Sequence, residues 1–265
     1  MPKHHYCSML ASAFLSLSAF SPLAQATVVH FKTSMGDFDV NLFDSSTPQT
    51  VANFLSYVND EDNSFDQSII HRSSPGFVIQ GGGIGYDAET QLLSTLPSEA
   101  PVENEPVFSN VRGTIAMAKS ASSPDSATRQ WFFSTANNAA NLDSQNGGFT
   151  AFGVVMGDGM DVVDAIAGLP VYNAGGVLAE LPLRNDPDVD TDLTDQHYVI
   201  IESITVTDPN TDTHLDLMPP LSTYEPPTPT DPDDGGSSSG GGGGGSLGFA
   251  SLLGLALLGF RKRLR

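Results

Sequence analysis

The sequence predicts a mainly β protein, with seven or eight short strands forming an antiparallel barrel closed at its ends by two α-helices. Three observations carry this. Runs rich in Val, Ile, Phe and Thr recur between residues 28 and 206, each bounded by Gly, Pro, Ser or Asp. Only two stretches show the 3.6-residue apolar spacing of a helix. The single cysteine, Cys7, falls ahead of all these elements, so the core must hold without a disulfide or a cysteine-ligated metal.

Taken in order, Val28 to Lys32 and Phe38 to Phe43 are β-rich runs separated by a turn in which Gly36 can supply a positive φ, which makes a hairpin. Thr47 then offers an N-cap with Pro48 at the first helical position, and Val51, Phe54, Leu55 and Val58 share one face of a helix of about twelve residues. Ser68 to Arg72 and Phe77 to Gln80 are two strands joined through Pro75 and Gly76. Between Gly81 and Asn110 the pattern fails, which predicts a long ordered loop. Strands resume at Gly113 to Lys119, Gln130 to Phe133 and Phe149 to Met156, with polar loops at 120–128 and 137–148. A short helix over Met160 to Ile166, an irregular acidic stretch and a last strand from Tyr198 to Val206 complete a domain over 27–208.

Both ends of the chain predict processing segments. Residues 1–26 begin with Lys3, His4 and His5, run through an apolar core and close on Ala24-Gln25-Ala26, the pattern of a secretory signal. A Pro, Thr, Asp, Gly and Ser tract over 209–246 cannot bury enough apolar surface to fold and serves as a linker. Leu247 to Phe260 would span about 21 Å as a helix, a marginal transmembrane length, and its basic RKRLR end would stay cytoplasmic. The formal charge is −20, and without Lys3 and the four basic residues at the C-terminus six Lys and Arg face 31 acids. Such a surface repels nucleic acid and anionic lipid, and it favours a monomer at low salt.

The chemistry concentrates in His71 to Gly83, HRSSPGFVIQGGG. Its glycines are not a dinucleotide fingerprint, because no helix follows them. The histidines at 30, 71, 197 and 214 lack metal-ligand spacing, and no G-x-S-x-G elbow is present. What remains is a cleft containing Arg72, Phe77, Gln80, Gln130 and Phe132, with no evident nucleophile or general base, which suits a reaction that breaks no bond. Rotation about a prolyl amide is one: its barrier of about 18–20 kcal/mol comes from lone-pair donation by nitrogen into the carbonyl. A guanidinium, always protonated, can donate to that lone pair as the nitrogen pyramidalises. No cofactor is needed.

These residues also carry a resemblance. HRSSPGFVIQGGG, GTIAMAK at 113–119, RQWFF at 129–133, Leu142-Asp143 and AFGVV at 151–155, in this order, resemble the cyclophilin-type peptidyl-prolyl isomerases, particularly bacterial periplasmic ones. The resemblance implies a closed eight-stranded barrel with two capping helices. It makes Arg72 the catalytic arginine, Phe77 a wall of the proline pocket and Gln80 the glutamine that orients the arginine. Ala118 and Lys119 fall on the strand that pairs with substrate, Lys119 chiefly through its backbone. Gln130 lines the cleft, Phe132 and Leu142 form the floor and rim, and Phe149 sits at the pocket edge.

Two positions depart from the family pattern. Asn141 stands where many members carry Trp or Phe, in a loop one residue longer, which argues against strong cyclosporin binding. Arg129 replaces a small serine and Trp131 a phenylalanine, and the sequence leaves Arg129 either exposed or acting on access to the cleft. The C-terminal Gly/Ser tract, apolar stretch and basic end resemble GlyGly-type sorting signals processed by a rhomboid-like protease, a plain tail anchor being the alternative. The expectation is therefore an exported isomerase acting on proline-containing, unfolded polypeptides, periplasmic or tethered at the cell envelope. The alternative is a catalytically weak proline-peptide-binding module.

Overall fold

The computed structural model describes residues 27–62, 64–187, 192–209 and 215–224. The signal read at 1–26 and the apolar stretch 247–260 with its basic end lie outside them. Among the described residues no helix is long and apolar enough to cross a membrane.

The elements are β1 (Val28–Thr33), β2 (Gly36–Leu42), α1 (Pro48–Val58), β3 (Ser68–Ile69), β4 (Arg72–Ser74), β5 (Val78–Gly81), β6 (Ile84–Asp87), β7 (Leu92–Thr95), β8 (Thr114–Met117), β9 (Trp131–Ser134), α2 (Ala139–Leu142), β10 (Ala151–Val155), α3 (Gly159–Ala167), β11 (Val171–Tyr172), β12 (Leu181–Pro182) and β13 (Ile200–Asp208). Apart from a small β11–β12 pair, the strands form one antiparallel sheet ordered β4-β5-β9-β8-β10-β2-β1-β13-β3-β6-β7. The expected closed barrel of eight strands is therefore replaced by an eleven-stranded sheet with edges at β4 and β7.

That sheet has to curl. β3 and β4 stand eight places apart in the order, about 38 Å in a flat sheet at roughly 4.8 Å per strand. Yet only Ile70 and His71 separate them along the chain, a reach of about 11 Å. The one strand expected over 68–72 divides there because its backbone changes partners: Ile70 N donates to Val199 O at 2.9 Å, and His71 N to Gln80 O at 3.1 Å.

Inside the curl, α1 and α3 cover a core built on Val29, Phe31, Phe38, Val40, Phe54, Phe133, Phe152, Val163 and Ile204. Phe31 stacks on Phe38 at 5.0 Å and meets the edge of Trp131 at 5.4 Å. Because strand side chains alternate, Ile115 and Met117 of β8 join this core, while Ala116 and the following Ala118 belong to a second apolar cluster with Val78, Phe108, Phe132 and Leu142. The second cluster carries the site.

Three expectations change. Residues 81–110 are not simply a loop, since β6 and β7 pair there from Ile84↔Thr95 to Asp87↔Leu92. The polar loop at 137–148 contains the four-residue α2. Thr47 precedes α1, but its hydroxyl donates to Phe43 O at 3.2 Å instead of capping the helix. The helix N-terminus is closed from a distance: Gln49 N and Thr50 N donate to the Glu105 carboxylate at 3.2 and 2.9 Å. An anion at that position satisfies free amides and complements the helix dipole.

The segment 215–224, inside the tract read as a linker, packs on the domain. Phe108 and Leu221 form an isolated bridge, Ser109 N donates to Pro220 O and Ser222 N to Val107 O, each at 2.8 Å. Met218 lies against the second apolar cluster.

Candidate active site

Strand register assembles the site. Arg72 pairs with Gln80 across β4 and β5, Gln80 with Phe132 across β5 and β9, Phe132 with Ala116 across β9 and β8, and Ala116 with Ala151 across β8 and β10. Directly paired residues project to the same face. A guanidinium, an amide, a ring and two small methyl-bearing residues thus form one row across five strands. The same alternation sends Ile79, Trp131 and Phe133 to the core.

The polar end of the row is a chain of contacts. Arg72 Nη1 donates to Gln80 Oε1 at 3.4 Å, and Gln80 Nε2 donates to Gln130 Oε1 at 2.9 Å. Gln80 is buried, so its amide orientation is held by these partners. Arg72 Nε donates to Glu180 Oε2 at 2.6 Å, a residue from the irregular stretch that sequence reasoning passed over. The contact spans 108 positions, and no local pattern announces it. Behind Arg72 the imidazole of His71 is only 1 % exposed, and burial, reinforced by the Arg72 charge, lowers its pKa to about 4. It is neutral at neutral pH.

The apolar end is formed by Phe77, Ala118, Phe132, Leu142 and Phe149, which share the second cluster. Phe132 and Phe149 meet edge to face at 5.8 Å. Phe77 O accepts from Thr135 N and from Asn138 Nδ2, both at 2.9 Å, which ties this wall to the start of α2. Phe149 N donates to Leu142 O at 3.0 Å and fixes the rim. Buried Asp143 anchors the same loop by accepting from Asn110 N and Nδ2 at 2.8 and 3.0 Å.

All nine residues expected at the site thus come together. β8 ends at Met117, before Ala118 and Lys119, and Ala118 N donates to Gln130 O at 2.8 Å. The Lys119 side chain, given little weight from sequence, donates to Asn146 O at 2.9 Å and to Gly148 O, with its ammonium 4.9 Å from the Phe149 ring centroid. Burial lowers its pKa to about 8. Asn141 faces Gln145 within the loop, its side-chain oxygen accepting from Gln145 Nε2.

Arg129 resolves as a buried structural cation, 1 % exposed. Nε donates to Gly82 O at 2.7 Å, Nη1 to Pro97 O at 2.6 Å and Nη2 to Ser64 O at 2.9 Å, while the guanidinium carbon lies 4.7 Å from the Tyr57 ring centroid. It explains the triple glycine together with its neighbours. A Cβ on Gly82, whose φ is +83°, would meet Trp131 Nε1 at 2.8 Å and Arg129 O at 2.9 Å, and one on Gly83 would meet Gln130 Cδ at 2.6 Å. The glycines let residues 129–131 approach closely enough to place Gln130 in the site.

The site offers a cation, two amides and an apolar recess. Among the described residues, no three His, Cys, Asp or Glu side chains converge where they could hold a metal ion.

Comparisons with known proteins agree with this chemistry. A peptidyl-prolyl cis-trans isomerase of Acinetobacter baylyi is 41% identical over 152 residues, spanning 56% of this chain and 76% of the relative. Peptidyl-prolyl cis-trans isomerase B of Escherichia coli is 34% identical over 187 residues, spanning 68% of this chain and all of the relative. In fold the chain is similar to a crystal structure of a Cryptosporidium parvum cyclophilin-type peptidyl-prolyl cis-trans isomerase, with a TM-score of 0.50 at 21% identity, covering 69% of this chain and 98% of that one. A second crystal structure of that protein, obtained in the presence of the dipeptide Ala-Pro, gives the same score. The profile described as "Cyclophilin type peptidyl-prolyl cis-trans isomerase/CLD" matches residues 28–186, which include the whole row from Arg72 to Ala151 and its pocket, and the chain belongs to this family of prolyl isomerases.

Proposed function

We propose that this peptidyl-prolyl cis-trans isomerase assists the folding of exported proteins by accelerating rotation about X-Pro bonds in unfolded or partly folded chains. The observation that carries the catalytic reading is the row Arg72–Gln80–Phe132 beside the recess of Phe77, Leu142 and Phe149. In this reading the proline ring enters the recess over Phe132, and Ala118, Lys119 and Gln130 grip the backbone on either side. The Arg72 guanidinium faces the prolyl nitrogen. As the amide twists, the nitrogen lone pair leaves the carbonyl and becomes available to a donor. A cation fixed before the reaction stabilises that state without reorganising, and it is most effective where water is excluded. Every other side chain in the site binds or orients, and no proton is transferred.

Export is supported by the order of charged start, apolar core and A-x-A close in residues 1–26. The acidic surface supports a monomer that avoids nucleic acid. The C-terminal Gly/Ser tract, apolar stretch and basic end support envelope tethering and processing by a rhomboid-like sorting protease. Intact masses of the protein from membranes and from culture medium test that assignment. A retained C-terminus in the membrane fraction supports a tail anchor, and loss of residues beyond the Gly/Ser tract supports sorting.

The catalytic reading is tested by cis/trans exchange of a proline-containing peptide. Arg72→Ala is expected to lower kcat/KM by about 10²–10³-fold with peptide affinity largely kept, as for loss of one fixed transition-state donor. Equal rates for wild type and Arg72→Ala would remove Arg72 from the mechanism. Tight peptide binding without acceleration by the wild type would mark a binding module.

A further inference from the structure

Arg72 is held from two sides. On one, Gln80 Oε1 accepts from Nη1 at 3.4 Å, and on the other, Glu180 Oε2 accepts from Nε at 2.6 Å. Glu180 is placed by its own backbone, because Ser73, the residue after Arg72, donates its amide to Glu180 O at 2.7 Å. Leu181 then begins β12 fully buried. A carboxylate fastened beside β4 on its main chain therefore meets the first side chain of β4.

We propose that Glu180 is a positioning residue: it sets the plane of the Arg72 guanidinium so that the terminal nitrogens face the recess of Phe77 and Phe132. This rests on the isomerase reading of the site. Two opposed effects need weighing. The carboxylate partly neutralises the cation that does the catalysis, but the side chains are 24% and 42% exposed, and solvent screening limits that loss. The same exposure makes the pair a minor contributor to stability. Orientation is different, since an arginine has several rotamers to lose, and a catalytic group displaced by about 1 Å can cost a hundredfold in rate. Orientation wins, and removing the carboxylate should slow the enzyme.

The test uses the full chain, peptide exchange kinetics and four variants: Glu180→Ala, Glu180→Gln, Arg72→Ala and the Arg72→Ala/Glu180→Ala double variant. Glu180→Ala is expected to lower kcat about tenfold with KM changed less than about twofold. Glu180→Gln, whose amide oxygen still accepts from Nε, should recover most of that loss. In the Arg72→Ala background Glu180→Ala should change nothing, because it acts only through the arginine. Wild-type kcat in Glu180→Ala, or an equal fractional loss in both backgrounds, overturns the proposal. The Nε–H resonance of Arg72 provides a readout independent of turnover, expected to move in Glu180→Ala. A moved resonance in a protein without exchange activity would sink the isomerase reading alone, and an unmoved one would sink the positioning role.

Discussion

Replacing Arg129 with methionine keeps most of the side-chain bulk and removes its hydrogen bonds to the carbonyls of Gly82, Pro97 and Ser64. These carbonyls then lose their charged donor, the Gly82 contact being buried and the other two partly exposed. A buried polar group left unpaired costs about 1–3 kcal/mol, so the gross loss is at most about 9 kcal/mol and falls well below that where solvent reaches Pro97 and Ser64. Against it stands the relief of no longer burying a cation, which is why burial lowers the Arg129 pKa to about 10. The expected net destabilisation is about 3 kcal/mol, a fall in Tm of about 6–12 °C for a domain of this size. Urea unfolding can be followed by the fluorescence of Trp131, the only tryptophan, whose ring is fully buried two residues away. Arg129→Lys should recover less than half, since one ammonium cannot reach three carbonyls that the guanidinium fork addresses in different directions. If Arg129→Met unfolds within about 0.5 kcal/mol of wild type, the range of ordinary surface substitutions, water satisfies those carbonyls and the arginine is not what joins the three segments.

His71 makes stability pH-dependent. Its folded pKa of about 4 lies below the ordinary 6.5, so between these values the unfolded chain binds the extra proton. Stability from this group is therefore complete above pH 6.5 and lost as pH falls to 4, by up to about 3 kcal/mol. His71→Gln should flatten the dependence of unfolding free energy on pH in that window, and an unchanged slope would contradict it. Gly83→Ala should push Gln130 aside, because its Cβ would lie 2.6 Å from Gln130 Cδ. A fall in kcat/KM of about threefold or more with Tm within about 2 °C is expected, and unaltered activity would detach Gln130 from the site. Ending the chain at Asp208 rather than Tyr224 uncovers Phe108 and removes Met218 from the second cluster. A loss of about 1–3 kcal/mol in urea unfolding is expected, and equal stability of the two chains would show that 215–224 contributes nothing.

Elements were legible where burial leaves a period or a compact apolar run in the sequence. The hairpin of β1 and β2 and the faces of α1 and α3 show their period because the core enforces it, while β8 and β9, buried along their whole length, show as short apolar and aromatic runs between polar loops. The hairpin of β6 and β7 escaped because its outer strand is exposed or half-buried throughout and its inner strand contains a glycine. β11 and β12, two residues each, are too short for any period to appear. In the site, Arg72, Phe77, Gln80, Gln130 and Phe132 were readable from their side-chain chemistry, a guanidinium, two amides and two rings with no nucleophile or base among them.

The sequence by itself determined most of the strands, the two main helices and a candidate cleft of Arg72, Phe77, Gln80, Gln130 and Phe132, while Ala118, Lys119, Leu142 and Phe149 entered only through the family resemblance. The elements and the cleft follow from side-chain chemistry and from periods of 2 and 3.6, which act within a few residues along the chain. Only the tertiary structure decided that the sheet has eleven strands and that α1 is closed by Glu105 rather than Thr47. It alone showed that Arg129 is internal and that Glu180 holds Arg72. Each of these depends on a contact between groups dozens of positions apart, and a carboxylate or guanidinium in the sequence carries no mark of the partner that burial will assign to it. The acids at 105 and 180 read alike along the chain; the fold makes one a helix cap and the other the neighbour of Arg72.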